Sequence, residues 1–190
     1  MLGTVALVGA VVVALVLGAP DPASARASSA TRTERASVAL LDTDQLGVAL
    51  SRQAAGQSPD PATRVAAAEL AGAYQQQADA IDVWLSRRGV GAAARITLRE
   101  PSEVHALPPG MTCTLMRPGA LGRLAGTGPA RFDGAFAAMV RTHASMRTRA
   151  VAALARSPSM RRTLAGSQAR LRSLERTALR AAAGPSTSAS

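Results

Sequence analysis

The sequence predicts an all-α protein, and three observations lead to this prediction. The apolar residues are mostly Ala, Leu, Val and Met, and only four of the 190 residues are aromatic. Such small side chains suit closely packed helices, whereas strands favour β-branched and aromatic residues. Apolar residues also recur at helical spacing in four segments, with Gly and Pro gathered between them. The chain is long enough for one domain with a sizeable core.

The N-terminal segment has the pattern of an export signal. Residues 2–19 are apolar and uncharged, and this run is shorter than the roughly 20 residues of a membrane span. Ala23-Ser24-Ala25 follows as a small-residue cleavage site. We therefore predict a signal peptide over residues 1–25 and export to the envelope or medium, with an uncleaved N-terminal anchor as the alternative. Residues 26–37, rich in Ser, Thr, Ala and Arg, predict a flexible stalk.

The first pair of helices is predicted at about 36–55 and 61–88. Leucines at helical spacing mark the first helix, and residues 56–61 break it. Asp60 can cap the second helix, and Pro61 suits its first position. Gly89 marks its end.

The second pair follows a long segment, 90–128, that holds most of the remaining Gly and Pro residues. This segment predicts a connection with one short helix near 120–124. A third helix is predicted at 130–155. Ser157-Pro158 then repeats the pattern of cap and proline, and a fourth helix runs to about 183. Residues 184–190 form a polar tail.

The order of these elements predicts how the helices are connected. The short turns make each pair an antiparallel hairpin, and the long connection is a crossover between the two hairpins. A shift of 97 positions places Asp60-Pro61 on Ser157-Pro158, which indicates an internal duplication. Together these features predict an antiparallel four-helix bundle of the ferritin-like kind over residues 38–183. We further expect Trp84, at the end of the second helix's apolar stripe, to be largely buried.

The third helix carries the most informative stripe of side chains. At 3.6 residues per turn, one face holds Phe132, Phe136, Met139, His143, Met146 and Ala150. Thioether sulfur and imidazole together suit Cu(I), so Met139, His143 and Met146 are candidate copper ligands. The alternative is a core histidine bonded to a carbonyl group, with methionines filling gaps in the packing.

A second group of soft ligands lies in the long connection. It consists of Met111, Cys113 and Met116, with His105 upstream. An unpaired cysteine is unusual in an exported protein. These side chains could complete a Cu(I) site with His143, because a single helix cannot supply a full set of ligands. The alternative is a buried cysteine that acts as a small apolar residue, or an incidental thiol.

Several kinds of catalytic site are not supported by the sequence. The chain has no Glu-x-x-His motif for a di-iron centre, no arrangement of Ser, His and Asp that spacing supports, and no Gly-rich phosphate loop after a strand. We therefore expect a protein that is not an enzyme.

The formal net charge is +10, and all 22 basic residues are arginine. Four of them, Arg162, Arg172, Arg176 and Arg180, lie opposite the apolar stripe of the fourth helix. This basic face predicts attraction to an anionic envelope surface, and the alternative is a solvated face with no specific partner. Nucleic acid is not expected, since no aromatic residues alternate with the arginines to stack on bases. We expect a monomer or a weak homo-oligomer.

The chain resembles a family of exported, ferritin-like bacterial proteins, domain of unknown function 305. The resemblance covers about residues 40–182. Its motifs here are Pro109-Gly110-Met111, Phe132-Asp133, Phe136, Met139 and Thr142-His143, together with Asp60-Pro61, Arg64, Gln75 and Trp84-Leu85. A second exported ferritin-like family, domain of unknown function 4142, has a similar helix with Phe-Asp and His.

The resemblance implies a ferritin-like fold and metal binding by one His-His pair in each repeat. This chain departs from that pattern, because Thr142 replaces one histidine of the second pair and residues 42–51 contain none. The sequence thus predicts a non-enzymatic envelope protein with residual, copper-like soft-metal binding. The alternative is a metal-free structural or interaction module that uses its basic face.

Overall fold

A computed structural model describes residues 22–91 and 119–184, with the backbone alone for 22–31. This part of the chain forms five helices and no strand. The helices are α1 (Pro22–Gln57), α2 (Pro61–Arg87), the short α3 (Ala120–Ala125), α4 (Pro129–Leu154) and α5 (Pro158–Ala182). The predicted all-α class is therefore confirmed, and the boundaries of α2 to α5 lie within two residues of the predicted ones.

The four long helices pack as a closed ring. α1 contacts α2 and α4, and α5 contacts α2 and α4. Hydrogen bonds between α1 and α4 show that these helices run in opposite directions, because Thr43 contacts His143 and Ser58 contacts Asp133. The same holds for α2 and α5, where Tyr74 contacts Glu175 and Gln77 contacts Ser167. Neighbouring helices are therefore antiparallel. Consequently the end of α2 and the start of α4 lie at opposite ends of the bundle, and the chain between them joins these ends.

Two side chains begin helices as the sequence predicts. The carboxylate of Asp60 accepts hydrogen bonds from the backbone N–H groups of Ala62 and Thr63. At the start of α5, the Ser157 hydroxyl accepts from the N–H of Met160 at 3.4 Å. A proline follows each cap, so α2 and α5 begin with the same combination of a capping side chain and a proline at the first helical position.

The start of α1 differs from the prediction. The helix begins at Pro22 rather than near Ala36, so the residues expected to form a flexible stalk are helical. The reason is physical: no Gly or Pro interrupts residues 23–46, and alanine favours a helix. Hydroxyl groups bond back to carbonyls within α1, as Ser37 does to Thr33 at 2.8 Å. The proposed cleavage site falls in the first turn of α1, whereas residues 1–21 and the tail 185–190 lie outside the described residues.

The apolar core consists of two clusters. One is built around Leu50, Leu70, Phe132 and Phe136, and the other around Leu40, Ile81, Leu85 and Met160. The expected burial of Trp84 holds in part: Trp84 packs against the second cluster but is only partly buried, whereas its neighbour Leu85 is fully buried. The Arg88 guanidinium covers the Trp84 ring at 4.5 Å. Polar side chains lie between the two clusters along the bundle axis. These polar side chains form the candidate site.

Candidate functional site

His143 lies in the core, fully buried on α4. Its Nε2 is 2.7 Å from the carbonyl oxygen of Thr43 on α1. Because a carbonyl oxygen can only accept, Nε2 carries the proton and Nδ1 is an acceptor. Nδ1 has no hydrogen-bond partner among the described residues. Burial lowers the pKa of His143, against the opposing effect of the Thr43 carbonyl, so the ring is neutral.

The imidazole fits against α1 because residue 47 is a glycine. A Cβ atom at Gly47 would lie 2.8 Å from the His143 ring and 2.8 Å from the Tyr74 ring. Tyr74 packs on His143 edge to face, with ring centroids 4.7 Å apart and planes at 72°. Three helices thus meet at one point where only a residue without a side chain fits.

A hydrogen-bonded network continues from Tyr74 to α5 and back to α4. The Tyr74 hydroxyl donates to Glu175 Oε1 at 2.8 Å. The Arg147 Nε donates to the same oxygen at 3.1 Å, and a second guanidinium nitrogen lies 3.4 Å from Oε2. Arg147 also donates to Gln168 at 2.8 Å and, more weakly, to Gln77 at 3.5 Å. The ion pair is buried, with side-chain exposures of 2% and 8%.

Asp44 on α1 carries a second carboxyl group, at the same level of the bundle as that of Glu175. It is fully buried, and neither of its oxygens has a hydrogen-bond partner among the described residues. Desolvation by burial raises the pKa of Asp44 to about 8; the Arg147 charge opposes this rise and the Glu175 charge adds to it. We call Asp44, Tyr74, Gln77, His143, Arg147 and Glu175 the polar layer.

The candidate metal ligands are brought together only in part. Met139 is buried one turn from His143, in the cluster with Phe132 and Phe136. Met146 is half-buried at the edge of the same cluster. Cys113, Met111, Met116 and His105 lie outside the described residues. Within those residues, no three His, Cys, Asp or Glu side chains are grouped so that they could hold a metal ion.

The sequence reasoning missed most of the polar layer. Glu175 lies four residues after Leu171 and three before Ala178, which are both buried, so its helical phase already placed it on the inner face. It is also the only acidic residue between Arg141 and Ala182, among ten arginines. A lone carboxylate at a core position predicts an arginine partner. Asp44 gave the same signal of helical phase, because it lies four residues after Leu40 and four before Val48, which are both buried.

The outer side of α5 carries the basic face. Arg162, Arg172, Arg176 and Arg180 are all exposed, as the sequence predicts. The one acidic residue of α5, Glu175, is buried against Arg147. The exposed surface of α5 therefore has positive charge and no negative charge of its own.

None of the helices in the described ranges is long and apolar enough to pass through a membrane. Comparison of the chain with family models, with curated proteins and with solved structures finds no match.

Proposed function

We propose that the protein is a non-enzymatic interaction module that binds an anionic lipid surface through the basic face of α5. The observation that carries this proposal is the separation of charge on α5. All six arginines of α5 are exposed, including the four of the basic face, while the only carboxylate of the helix is buried and neutralised by Arg147. Such a face attracts phosphate groups without internal competition from acidic side chains.

The spacing of the arginines suits a planar surface. Arg162 and Arg180 are separated by 18 positions, which is about 27 Å along a helix. With Arg172 and Arg176, they fall within an arc of about 80° around the helix axis, given the helical turn. Guanidinium groups bind phosphate oxygens in a planar, two-point manner. One straight helix can therefore lie on a row of phosphate headgroups.

The family resemblance and the predicted signal peptide supply the setting of this proposal. A ferritin-like bundle with two antiparallel hairpins agrees with the observed ring of helices. Export would bring the basic face to the anionic lipids of the envelope. Membership of domain of unknown function 305, export and the ferritin-like relationship are parts of the proposal.

The proposal is tested by sedimentation with lipid vesicles. We expect binding to phosphatidylglycerol vesicles and not to phosphatidylcholine vesicles, with loss of binding as salt rises. Arg172→Gln with Arg176→Gln should weaken binding severalfold. The matched control is Arg52→Gln with Arg87→Gln, which removes the same charge from exposed sites on α1 and α2. Equal losses in both double variants would show attraction by net charge alone and would refute a dedicated face.

Residual soft-metal binding is the second candidate function. One observation favours it: the buried His143 keeps Nδ1 without a partner, and Met139 is one turn away. Imidazole and thioether ligands suit Cu(I) better than Zn(II). The ligands from the long connection would have to complete such a site.

A competition titration of the reduced protein with Cu(I) tests this second candidate. We expect about one equivalent bound, with preference over Zn(II), given the softness of these ligands. His143→Gln and Cys113→Ser should each weaken binding. Equally weak binding by the wild type and both variants would leave only the metal-free module.

A further inference from the structure

The polar layer contains two carboxyl groups but one guanidinium. Glu175 takes the Arg147 charge through contacts of 3.1 and 3.4 Å. The remaining Arg147 nitrogen is directed to the side-chain carbonyl oxygens of Gln168 and Gln77. No positive charge of the layer is therefore left for Asp44.

The hydrogen-bond donors of the other residues in the polar layer bond to acceptors other than Asp44. From α2, the Tyr74 hydroxyl donates to Glu175. From α4, the His143 Nε2–H donates to the Thr43 carbonyl, and Arg147 serves Glu175 and the two glutamines. From α5, Glu175 contributes only negative charge. An ionised Asp44 would thus be a buried charge without a hydrogen-bond partner, which burial strongly disfavours.

We propose that the protein folds with Asp44 as a neutral carboxylic acid, and that this residue makes the bundle a pH-responsive device that loosens in mildly alkaline solution. A protonated carboxyl group carries its own donor and no charge, so it suits a layer without free cations. The inference concerns the core and is independent of the proposed function of the basic face. The raised pKa of Asp44 agrees with it.

The direction of the pH dependence follows from proton linkage. Asp44 ionises near 3.8 in the unfolded chain and near 8 in the folded one. Between these values the folded protein holds one extra proton, so its stability falls as pH rises from about 4 to about 8 and levels off above. His143 contributes the opposite slope below 6.5, because its pKa is lowered by burial. The interval from pH 7 to 8 therefore isolates Asp44.

Ionisation would act on the contacts that join the helices. A charged Asp44 competes with Glu175 for Arg147, and Glu175 is the acceptor that links Tyr74 of α2 to Arg147 of α4. If Glu175 binds Arg147 less tightly, α5 is attached less firmly to α2 and to α4. The response is thus built into a layer to which all four long helices contribute a side chain.

The test compares unfolding of the wild type, Asp44→Asn and Asp79→Asn between pH 5 and pH 9. Asn keeps the shape of a neutral carboxyl group. We expect the unfolding constant of the wild type, relative to Asp44→Asn, to rise about tenfold per pH unit below pH 7, about fivefold between pH 7 and pH 8, and to level off by about pH 9. Asp79 is exposed on α2, and its variant should follow the wild type. Parallel profiles of the wild type and Asp44→Asn would overturn the proposal.

A second measurement decides the matter if Asp44→Asn does not fold. Infrared titration of the folded wild type should show the carbonyl band of one protonated carboxyl group at pH 6, and this band should disappear by pH 9. Absence of the band at pH 6 would show that Asp44 is ionised in the fold and would overturn the proposal.

Discussion

Gly47 shows how a single residue determines the arrangement of the core. Its lack of a Cβ lets the rings of His143 and Tyr74 approach α1. We expect Gly47→Ala to destabilise the protein by about 1–3 kcal/mol, as overpacked cores do, despite the better helix propensity of alanine. Gly72→Ala is the control, since a Cβ there meets nothing within 4 Å. Chemical denaturation measures both, and equal stability of the two variants would contradict the packing shown here.

Arg147 and Glu175 allow a second prediction at the residue scale. Arg147→Met alone leaves Glu175 buried without its partner and should cost about 3–5 kcal/mol. Arg147→Met combined with Glu175→Gln removes both charges, so we expect it to recover much of this loss. Urea denaturation of the two single variants and the double variant forms a complete cycle. Additive effects would mean that the pair is not coupled.

The contribution of the N-cap to α5 can be tested at the scale of the whole helix. The Ser157 hydroxyl satisfies the N–H of Met160, so Ser157→Ala should cost about 1 kcal/mol, typical of a lost N-cap. Ser173→Ala, at an exposed position within α5, is the control. Thermal unfolding followed by circular dichroism distinguishes them, and an unchanged midpoint for Ser157→Ala would show that Pro158 alone sets the start of the helix.

The helices also show which parts of the fold the sequence could predict. Asp60-Pro61 and Ser157-Pro158 revealed two helix starts, because capping and proline act within one turn. The start of α1 was missed, because Ser and Thr in residues 26–37 are equally suited to a stalk and to a helix that bonds back to its own carbonyls. The polar layer was missed for another reason: its partners lie on different helices, and Tyr74 and Glu175 are 101 residues apart. The spacing of apolar residues identifies the buried face of a helix. It does not identify the residues of other helices that pack against that face.

For the whole molecule, acid should weaken the fold through His143. Burial holds the pKa of this residue below 6.5, so the unfolded chain takes up a proton first, and stability is lost as pH falls below 6.5. We expect His143→Gln to remove this part of the pH dependence. The measurement is the difference in unfolding free energy between the variant and the wild type from pH 7 to pH 5. A constant difference would mean that the imidazole does not titrate on unfolding.

The unbroken length of α1 has a mechanical consequence. The Glu34–Arg88 contact of 3.8 Å marks where the end of α2 lies beside α1. The turns of α1 before Glu34, about 18 Å at the helical rise, extend past that level. A pull applied at Pro22 would be carried along the same helix to Thr43 and Gly47, where it would load the contacts with His143 in shear rather than peel them apart one by one. Parallel rows of contacts loaded in this way share the force, so tension at the start of the chain would be borne by the middle of the bundle.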